Sequence, residues 1–392
     1  MKQACAIVGV GMTPFGKFPD LTVRHLAEQA ARAALADAGM QPDDVDEVYF
    51  SNAVGGMITG QEMIRGQAAL RFLGLRGQAI FNVENACASG STAFHLAWRA
   101  VSSGRVQAAL VVGAERMTHA DKRVSLAALA TAVDLDEKQP EHVGAGSGSI
   151  FMDIYAARTR KYMAESGATR EDLAGIVVKS RRAASLNPNA QFRAETTVPE
   201  VLASRVISDP LTLQMCSSIG DGAAAIVVCS PERAARLSAR RPVWVGGSVI
   251  ASGTPDGSSK PAAVRATFQA YEEAGVDPRD IHVAELHDAS APAELMYYES
   301  LGLCGPGDGP ALLRSGQTGI NGRISVNPSG GLLSKGHPIG ATGVAQLVEL
   351  THQLRGEAGP RQRDDAKVAL AENNGGQVGQ DAAVAAATIL HV

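Results

Sequence analysis

Apolar runs and helical periodicities alternate along this chain. VVGAE (111–115) and DGAAAIVVCS (221–230) are near-continuous apolar stretches of strand length, the pattern of strands covered on both faces. From Ser89 onward Phe94, Ala97, Trp98 and Val101 recur at helical spacing, and Asn82-Val83 closes the preceding strand pattern. A helix is therefore predicted to begin at or just after Cys87.

The pattern also repeats. ALADAGMQPDDVDEVYFSNAV (34–54) aligns without a gap on AYEEAGVDPRDIHVAELHDAS (270–290). Each copy reads as a helix ending in Ala-Gly, a Pro-Asp turn and a strand. Further on, CASGSTAFHLAW (87–98) aligns on GATGVAQLVELT (340–351), and VVGAE (111–115) on VALAE (368–372), in the same order. Three ordered matches predict one βαβ-rich lobe used twice and related by a pseudo-two-fold axis. The boundaries expected are a first lobe over 1–235 and a second over 240–392. Between the VVGAE strand and DGAAAIVVCS lies an insertion of about 117–219, too long for a plain loop. It holds GAGSGS (144–149), a predicted helix FMDIYAARTRKYMAES and the basic run KSRR (179–182). Long ordered insertions in compact enzymes cover active sites, so this one is read as a lid.

Composition narrows the class. The 392 residues are 45% hydrophobic and 19% charged, with 42 glycines and few aromatics, as suits helices packed closely on buried strands. A net charge of -4 offers no basic face to nucleic acid or to an anionic membrane. No run of about 20 apolar residues is present, and the N-terminal stretch lacks the apolar length of a secretory signal. Five cysteines, at 5, 87, 216, 229 and 304, have neither metal-ligand spacing nor a disulfide framework. The expectation is a cytoplasmic protein with no metal. Cys5 and Cys229 fall in apolar runs and are expected in the core.

Cys87, at a helix start among Ala88, Ser89 and Gly90, has a setting in which backbone N–H groups and the helix dipole favour the thiolate. A nucleophilic thiol needs a base. His337 stands in the glycine-dense NPSGGLLSKGHPIGATG (327–343), just before the helix that the repeat pairs with the Cys87 helix. The two-fold relation brings the two residues to corresponding ends of neighbouring helices. His287 and Asp288 end a strand of the second lobe where the first lobe has Ser51 and Asn52, and strand ends at a lobe interface are where α/β proteins place sites. The remaining histidines are expected to be surface or core residues. GVGMTPFG (9–16) lacks the third glycine and the helix start of a dinucleotide fingerprint.

With these residues together, the chain resembles the thiolase superfamily nearly end to end. NACASG is similar to its nucleophile motif, GGLLSKGHPIGATG to its glycine-histidine-proline signature, DGAAA (221–225) to a third motif, and AELHDAS to the histidine-aspartate motif of sterol-carrier-protein-type members. The resemblance implies two duplicated αβ lobes in a five-layered αβαβα core, with the insertion as a loop domain that binds coenzyme A. It implies a homodimer or tetramer, acyl-CoA and CoA as substrates, no bound cofactor, and for single-cysteine relatives a small zinc-ribbon/OB-fold partner. Carried onto matching positions, Cys87 takes the acyl group and His337 activates it. The N–H groups of Cys87 and of the 374–376 turn, with Gly375 and Gly376, stabilise an oxyanion. His287 and His337 hold the thioester oxygen of the second substrate, with Asp288 beside them, and Met152 walls the acyl pocket. KSRR could meet the coenzyme's phosphates, but a solvated basic face is the favoured reading.

The second thiol of such enzymes is missing: Glu372 and Ala289 stand at the positions that carry it. An enolate step still requires a base, which makes Glu372 the candidate, although Glu115 occupies the equivalent place in the first lobe. Three readings follow: acyl transfer by thiolysis or its reverse, a ketoacyl-synthase-like Cys-His-His enzyme, and a CoA-binding subunit of a larger complex.

Overall fold

The computed structural model describes residues 4–137, 147–237, 241–254, 256 and 259–392. Its strands, in chain order, are β1 (Ala6–Met12), β2 (Glu47–Ser51), β3 (Ala79–Val83), β4 (Ala108–Arg116), β5 (Val206–Ser208), β6 (Leu211–Thr212), β7 (Asp221–Cys229), β8 (Val243–Ser252), β9 (Val283–Glu285), β10 (Ser325–Val326), β11 (Val368–Gly375) and β12 (Val384–His391). Ten of them form one mixed sheet in the order β10-β9-β11-β12-β8-β1-β7-β4-β2-β3, and β5 and β6 pair separately.

The duplication is visible in that order. Outward from the centre, β1-β7-β4-β2-β3 on one side matches β8-β12-β11-β9-β10 on the other. Directions match too: β7 is antiparallel to β1 and β4, as β12 is to β8 and β11. β2 runs parallel to β3 and β4, and β9 to β10 and β11. The half-sheets join edge to edge at β1 and β8, where Ala6 and Ile7 face Trp244 and Val243.

The repeated helix, turn and strand form as the pattern predicts. Helices Val23–Ala38 and Ala262–Ala274 end at Gly39 (φ 67°) and Gly275 (φ 66°). Both glycines are left-handed, a conformation that lets the chain turn back at little cost. Single 3-10 turns, Pro42–Asp44 and Pro278–Asp280, then lead into β2 and β9.

Five layers result. Helix Val23–Ala38 packs its Ala27, Ala31 and Leu35 on Val48, Leu110 and Val227 of the first half-sheet. The opposite face of that half meets helices Ser89–Ser102 and Ile339–Arg355, whose Phe94, Trp98, Val344 and Leu347 share a core with Val111 and Ile226 on one side and Val283 and Ala369 on the other. Beyond the second half-sheet, Ala266 and Ala270 of helix Ala262–Ala274 join Leu286, Leu370 and Ile389.

The central helices cross at Gly90 and Gly343, positions equivalent in the repeat. A Cβ on Gly343 would overlap Ser91, and one on Gly90 would lie 2.9 Å from the Val344 nitrogen. This approach sets the N-terminal ends of the two helices side by side. The insertion, which belongs by sequence to the first lobe, packs against the second: Leu173, Ile176 and Tyr162 share a core with Leu295, Tyr298 and Leu333. Residues 144–146 of GAGSGS lie outside the described residues. Among the described residues no helix is long and apolar enough to cross a membrane.

Candidate active site

Cys87 lies in a 3-10 turn, Ala86–Ala88, one step before helix Ser89–Ser102. Side chains hold the turn: the Asn85 N–H donates to Ser89 Oγ at 2.9 Å, and Ser89 Oγ donates to the Ala86 carbonyl at 2.6 Å. Ala86 has φ 48°, a left-handed conformation that costs a non-glycine residue about 1 kcal/mol. His337 follows the one-turn π-helix Gly331–Lys335 and precedes helix Ile339–Arg355. Behind it, the buried Lys335 ammonium meets Glu285 at 3.2 Å. His287 follows β9.

The three side chains converge. One donor atom from each of Cys87, His287 and His337 lies within 4.8 Å of the others. The imidazoles meet edge to face, 5.2 Å between centroids at 82°. Such a sulfur-nitrogen set could hold a soft cation, and among the described residues it is the one group placed to do so. It is equally the set needed for covalent acyl chemistry.

The hydrogen bonds of His337 decide its tautomer. Its Nδ1 lies 2.7 Å from Thr342 Oγ1, which also lies 3.0 Å from the Pro338 carbonyl. Thr342 has one proton, and the carbonyl can only accept it, so the hydroxyl accepts from Nδ1–H. Nε2, with no protein partner, keeps its lone pair. Burial first, then His287 and Lys335, hold His337 well below the usual histidine range, so it is neutral and basic at Nε2. Burial likewise holds His287 down to about 4, with Asn373 opposing the shift.

The nucleophile differs from the sequence expectation. The N–H groups of Gly376 and of Cys87 itself do favour the thiolate, but burial outweighs them and pushes the thiol up to about 12. One 3-10 turn does not compensate for the water lost around the sulfur. Cys87 is thus a neutral thiol that must hand its proton to a base as it attacks.

Glu372 and Glu115 occupy equivalent strands but different states. Glu115 is fully engaged: Oε1 accepts from Asn52 Nδ2 at 2.7 Å, and Oε2 from the N–H groups of Ala53 at 2.8 Å and Gly340 at 3.1 Å. It ties the first lobe to the His337 helix. Glu372 has the His287 N–H on Oε2 at 3.1 Å, while Oε1 has no partner. With so little to support a charge, burial raises it to about 8.

A cavity of about 550 Å³ opens over these groups. Of the residues predicted from sequence, Cys87, His287, His337, Met152 and Gly376 line it. Three do not. Gly375 lies against the backbone of Asn85 and Ala88, and Asp288 is fully buried, accepting from the Leu332 N–H at 2.6 Å. Glu372 sits one layer behind the wall. KSRR is not a solvated face: Lys179 pairs with buried Glu294 at 2.6 Å, and Arg181 lines the cavity over the Phe192 ring at 4.5 Å. Cys5 and Cys229 are core residues, as expected.

Several lining or supporting residues went unnoticed in the sequence. Tyr155 and Tyr297 line the cavity, both phenols are pushed up by burial, and both feel the charge of Glu372. Asn374 Nδ2 donates to the Tyr297 phenol oxygen. Thr342 fits the helical pattern and gives no other signal. Tyr155 lies in the insertion, where no repeat marks it.

Residues 5–232 match the family description "Thiolase, N-terminal domain", and residues 250–388 match "Thiolase C-terminal domain-like". The chain is 40% identical over 386 residues to a protein of Thauera aromatica named "Benzoylsuccinyl-CoA thiolase subunit BbsB", covering 96% of each. It is 39% identical to an "Acetyl-CoA acetyltransferase" of Methanothermobacter thermautotrophicus, covering 95% of this chain and 97% of that one. Among solved structures it is similar to one titled "Ltp2-ChsH2(DUF35) aldolase", with TM-score 0.79 and 26% identity over 99% of this chain and 98% of that one. Human mitochondrial 3-ketoacyl-CoA thiolase shares the fold, with TM-score 0.74 and 18% identity over 99% of each chain.

Proposed function

The chain belongs to the thiolase family and is an acyl-CoA acyltransferase; from that premise we propose that it makes or breaks a β-ketoacyl-CoA through an acyl group held on Cys87. The observation that carries this reading is the convergence of Cys87, His287 and His337 within 4.8 Å at a cavity of about 550 Å³.

In the cleavage direction, His337 takes the thiol proton at Nε2 as Sγ adds to the ketone carbon. The resulting alkoxide accepts from the N–H groups of Cys87 and Gly376, which already face the sulfur. Collapse breaks the carbon–carbon bond, and the electron pair leaves on the thioester enolate, whose oxygen lies against His287 and His337. The enolate carbon takes a proton from Glu372, which at about 8 is largely protonated at neutral pH. Glu372 does not itself line the cavity, and Tyr155 and Tyr297, which line it and feel the charge of Glu372, fit the passage of that proton. Coenzyme A, entering as a substrate, then gives its thiol proton to Glu372 and attacks the acyl-cysteine. Cys87 leaves as a thiolate and recovers its proton from His337. Condensation is the reverse, with ionised Glu372 as base.

Features at a distance from the site support the assembly and domain assignments. β3 is an edge strand with Phe81 41% exposed, and Met63 at 77%, Ile64 at 63% and Phe72 at 58% lie on the segments that lead to it. An open edge among apolar side chains suits a second copy of the chain, in a dimer or tetramer. The name "subunit" on one relative and the two-component title of one structure support a second protein as partner, the place that the small zinc-ribbon/OB-fold protein expected from the resemblance would fill. Five free cysteines suit a reducing, cytoplasmic setting. The lobe limits 1–235 and 240–392 agree with the change of half-sheet between β7 and β8.

Mass spectrometry after incubation with acetyl-CoA and longer acyl-CoAs tests the reading. An acyl adduct on Cys87 that free coenzyme A discharges is expected. No adduct on a Cys87 that still alkylates would sink it, and an adduct formed only with loss of carbon dioxide would mark a ketoacyl-synthase-like enzyme instead.

A further inference from the structure

One wall of the cavity is a single helix face. Phe151, Met152, Ile154, Tyr155 and Arg158 all belong to helix Ile150–Ser166 and all line the cavity, at spacings that keep them on one side. At 1.5 Å per residue, the face runs about 10 Å from Phe151 to Arg158. Its first four members are apolar or aromatic, and its last is a guanidinium. The Tyr155 phenol feels Arg158, Cys87 and Glu372, and Tyr155, Arg158 and Cys87 line the same cavity.

Arg158 is half-buried and held by one nitrogen. Nη2 donates to Gln377 Oε1 at 3.0 Å and to the Gln380 carbonyl at 2.7 Å. Both acceptors are neutral. Among the described residues no carboxylate pairs with it, and its Nε and Nη1 neither bond to the protein nor lie sealed from water. Several cations elsewhere in the interior are matched, Lys179 by Glu294, Lys335 by Glu285, Arg361 by Glu349 and Arg355 by Asp37, while Arg181, which also lines the cavity, lies over the Phe192 ring. A fixed guanidinium with free donors and, among the described residues, no carboxylate paired to it suits a planar anion.

Its place decides which anion. Gln377, the anchor of Arg158, directly follows Gly376, whose N–H faces the Cys87 sulfur. The coenzyme's phosphates stand a whole pantetheine arm from that sulfur, but the far end of an acyl group stands a few bonds away. We infer that Arg158 determines specificity, selecting acyl-CoA substrates whose acyl group carries a carboxylate beyond an apolar or aromatic body. This inference rests on the acyl-transfer reading above.

Binding to the full-length Cys87→Ala protein, in which no acyl transfer can occur, tests it by isothermal titration. Succinyl-, glutaryl- and adipyl-CoA are compared with butyryl-, pentanoyl- and hexanoyl-CoA, which match them in carbon number. The best dicarboxylic thioester is expected to bind about 10- to 100-fold more tightly than its uncharged match. Adding Arg158→Gln should abolish that difference by weakening the dicarboxylic ligands alone, and Arg158→Lys should keep part of it. Unchanged binding of the uncharged thioesters shows that the variants are folded. Equal affinity within every pair, or a Gln variant that weakens both members alike, overturns the inference and leaves acyl transfer standing. Failure to bind any of the thioesters or coenzyme A itself overturns both.

Discussion

His337 and Thr342 are joined through Nδ1 and Oγ1 at 2.7 Å, and that bond chooses which imidazole nitrogen is basic. Because Thr342 spends its only proton on the Pro338 carbonyl, the ring must donate to it, and Nε2 is left to receive the proton of Cys87. A residue with no chemistry of its own thus sets the chemistry of the base.

Thr342→Val keeps the side-chain shape and removes the acceptor. The ring then loses both its orientation and its tautomer preference. Single-turnover acylation of Cys87 should slow by about 10- to 100-fold, with little change in acyl-CoA binding. Thr342→Ser should restore most of the rate, and an unaltered rate in the valine variant would remove Thr342 from the positioning of His337.

Glu372→Gln tests the proton at the enolate carbon. In the wild type, carbon–carbon cleavage should decline above about pH 8, where Glu372 ionises. The glutamine variant should lack that decline and run slower by about 100- to 10,000-fold, the usual worth of a general acid. Normal cleavage by the variant in a single-turnover assay would exclude the role.

The same carboxyl affects stability. Glu372 rises from 4.5 to about 8 on folding, and Glu115 to about 7, so the unfolded chain loses these protons first as pH rises. Their contribution is intact below about 4.5 and is lost as pH climbs through 7 to 8. In urea melts between about pH 5 and about pH 8, each group should remove up to about 1.4 kcal/mol per pH unit. Glu372→Gln should flatten that slope. His287, held at about 4, acts in the opposite sense, removing stability as pH falls from 6.5 toward 4.

The helix crossing is sensitive to a single methyl group. Gly343→Ala forces a Cβ onto Ser91 and should lower stability in denaturant melts by about 1–3 kcal/mol or more. Gly90→Ala, whose Cβ meets the Val344 nitrogen at 2.9 Å, should cost less. The reverse ranking would show that the central layer yields elsewhere.

The repeats made the core legible. The Ala-Gly ends, the Pro-Asp turns and the strands after them appear in the expected places, and the two-fold relation brings Cys87 and His337 together before any coordinates are considered. Burial was not legible. A helix start argued for a thiolate at Cys87, but the sulfur's loss of water dominates and leaves a thiol. Nor could spacing separate Glu115 from Glu372, since the difference lies in partners contributed by Ala53, Gly340 and His287. KSRR reads as a surface run, yet Lys179 reaches a buried glutamate more than a hundred residues away. Tyr155 and Arg158 belong to an insertion with no second copy against which to align it.

That insertion crosses from the lobe that encodes it to the lobe it packs against, and so divides the protein's labour. The groups placed to make and break bonds sit at strand and helix ends of the duplicated core, tied to each other by the crossing at Gly90 and Gly343. The wall with Phe151, Met152, Ile154, Tyr155 and Arg158 hangs on a separate helix. A change along that wall at any of these residues but Tyr155, which stands with the proton of Glu372, alters what is admitted and leaves the reactive groups where they are. Such a molecule can acquire new substrates by altering one helix face while its reaction stays fixed.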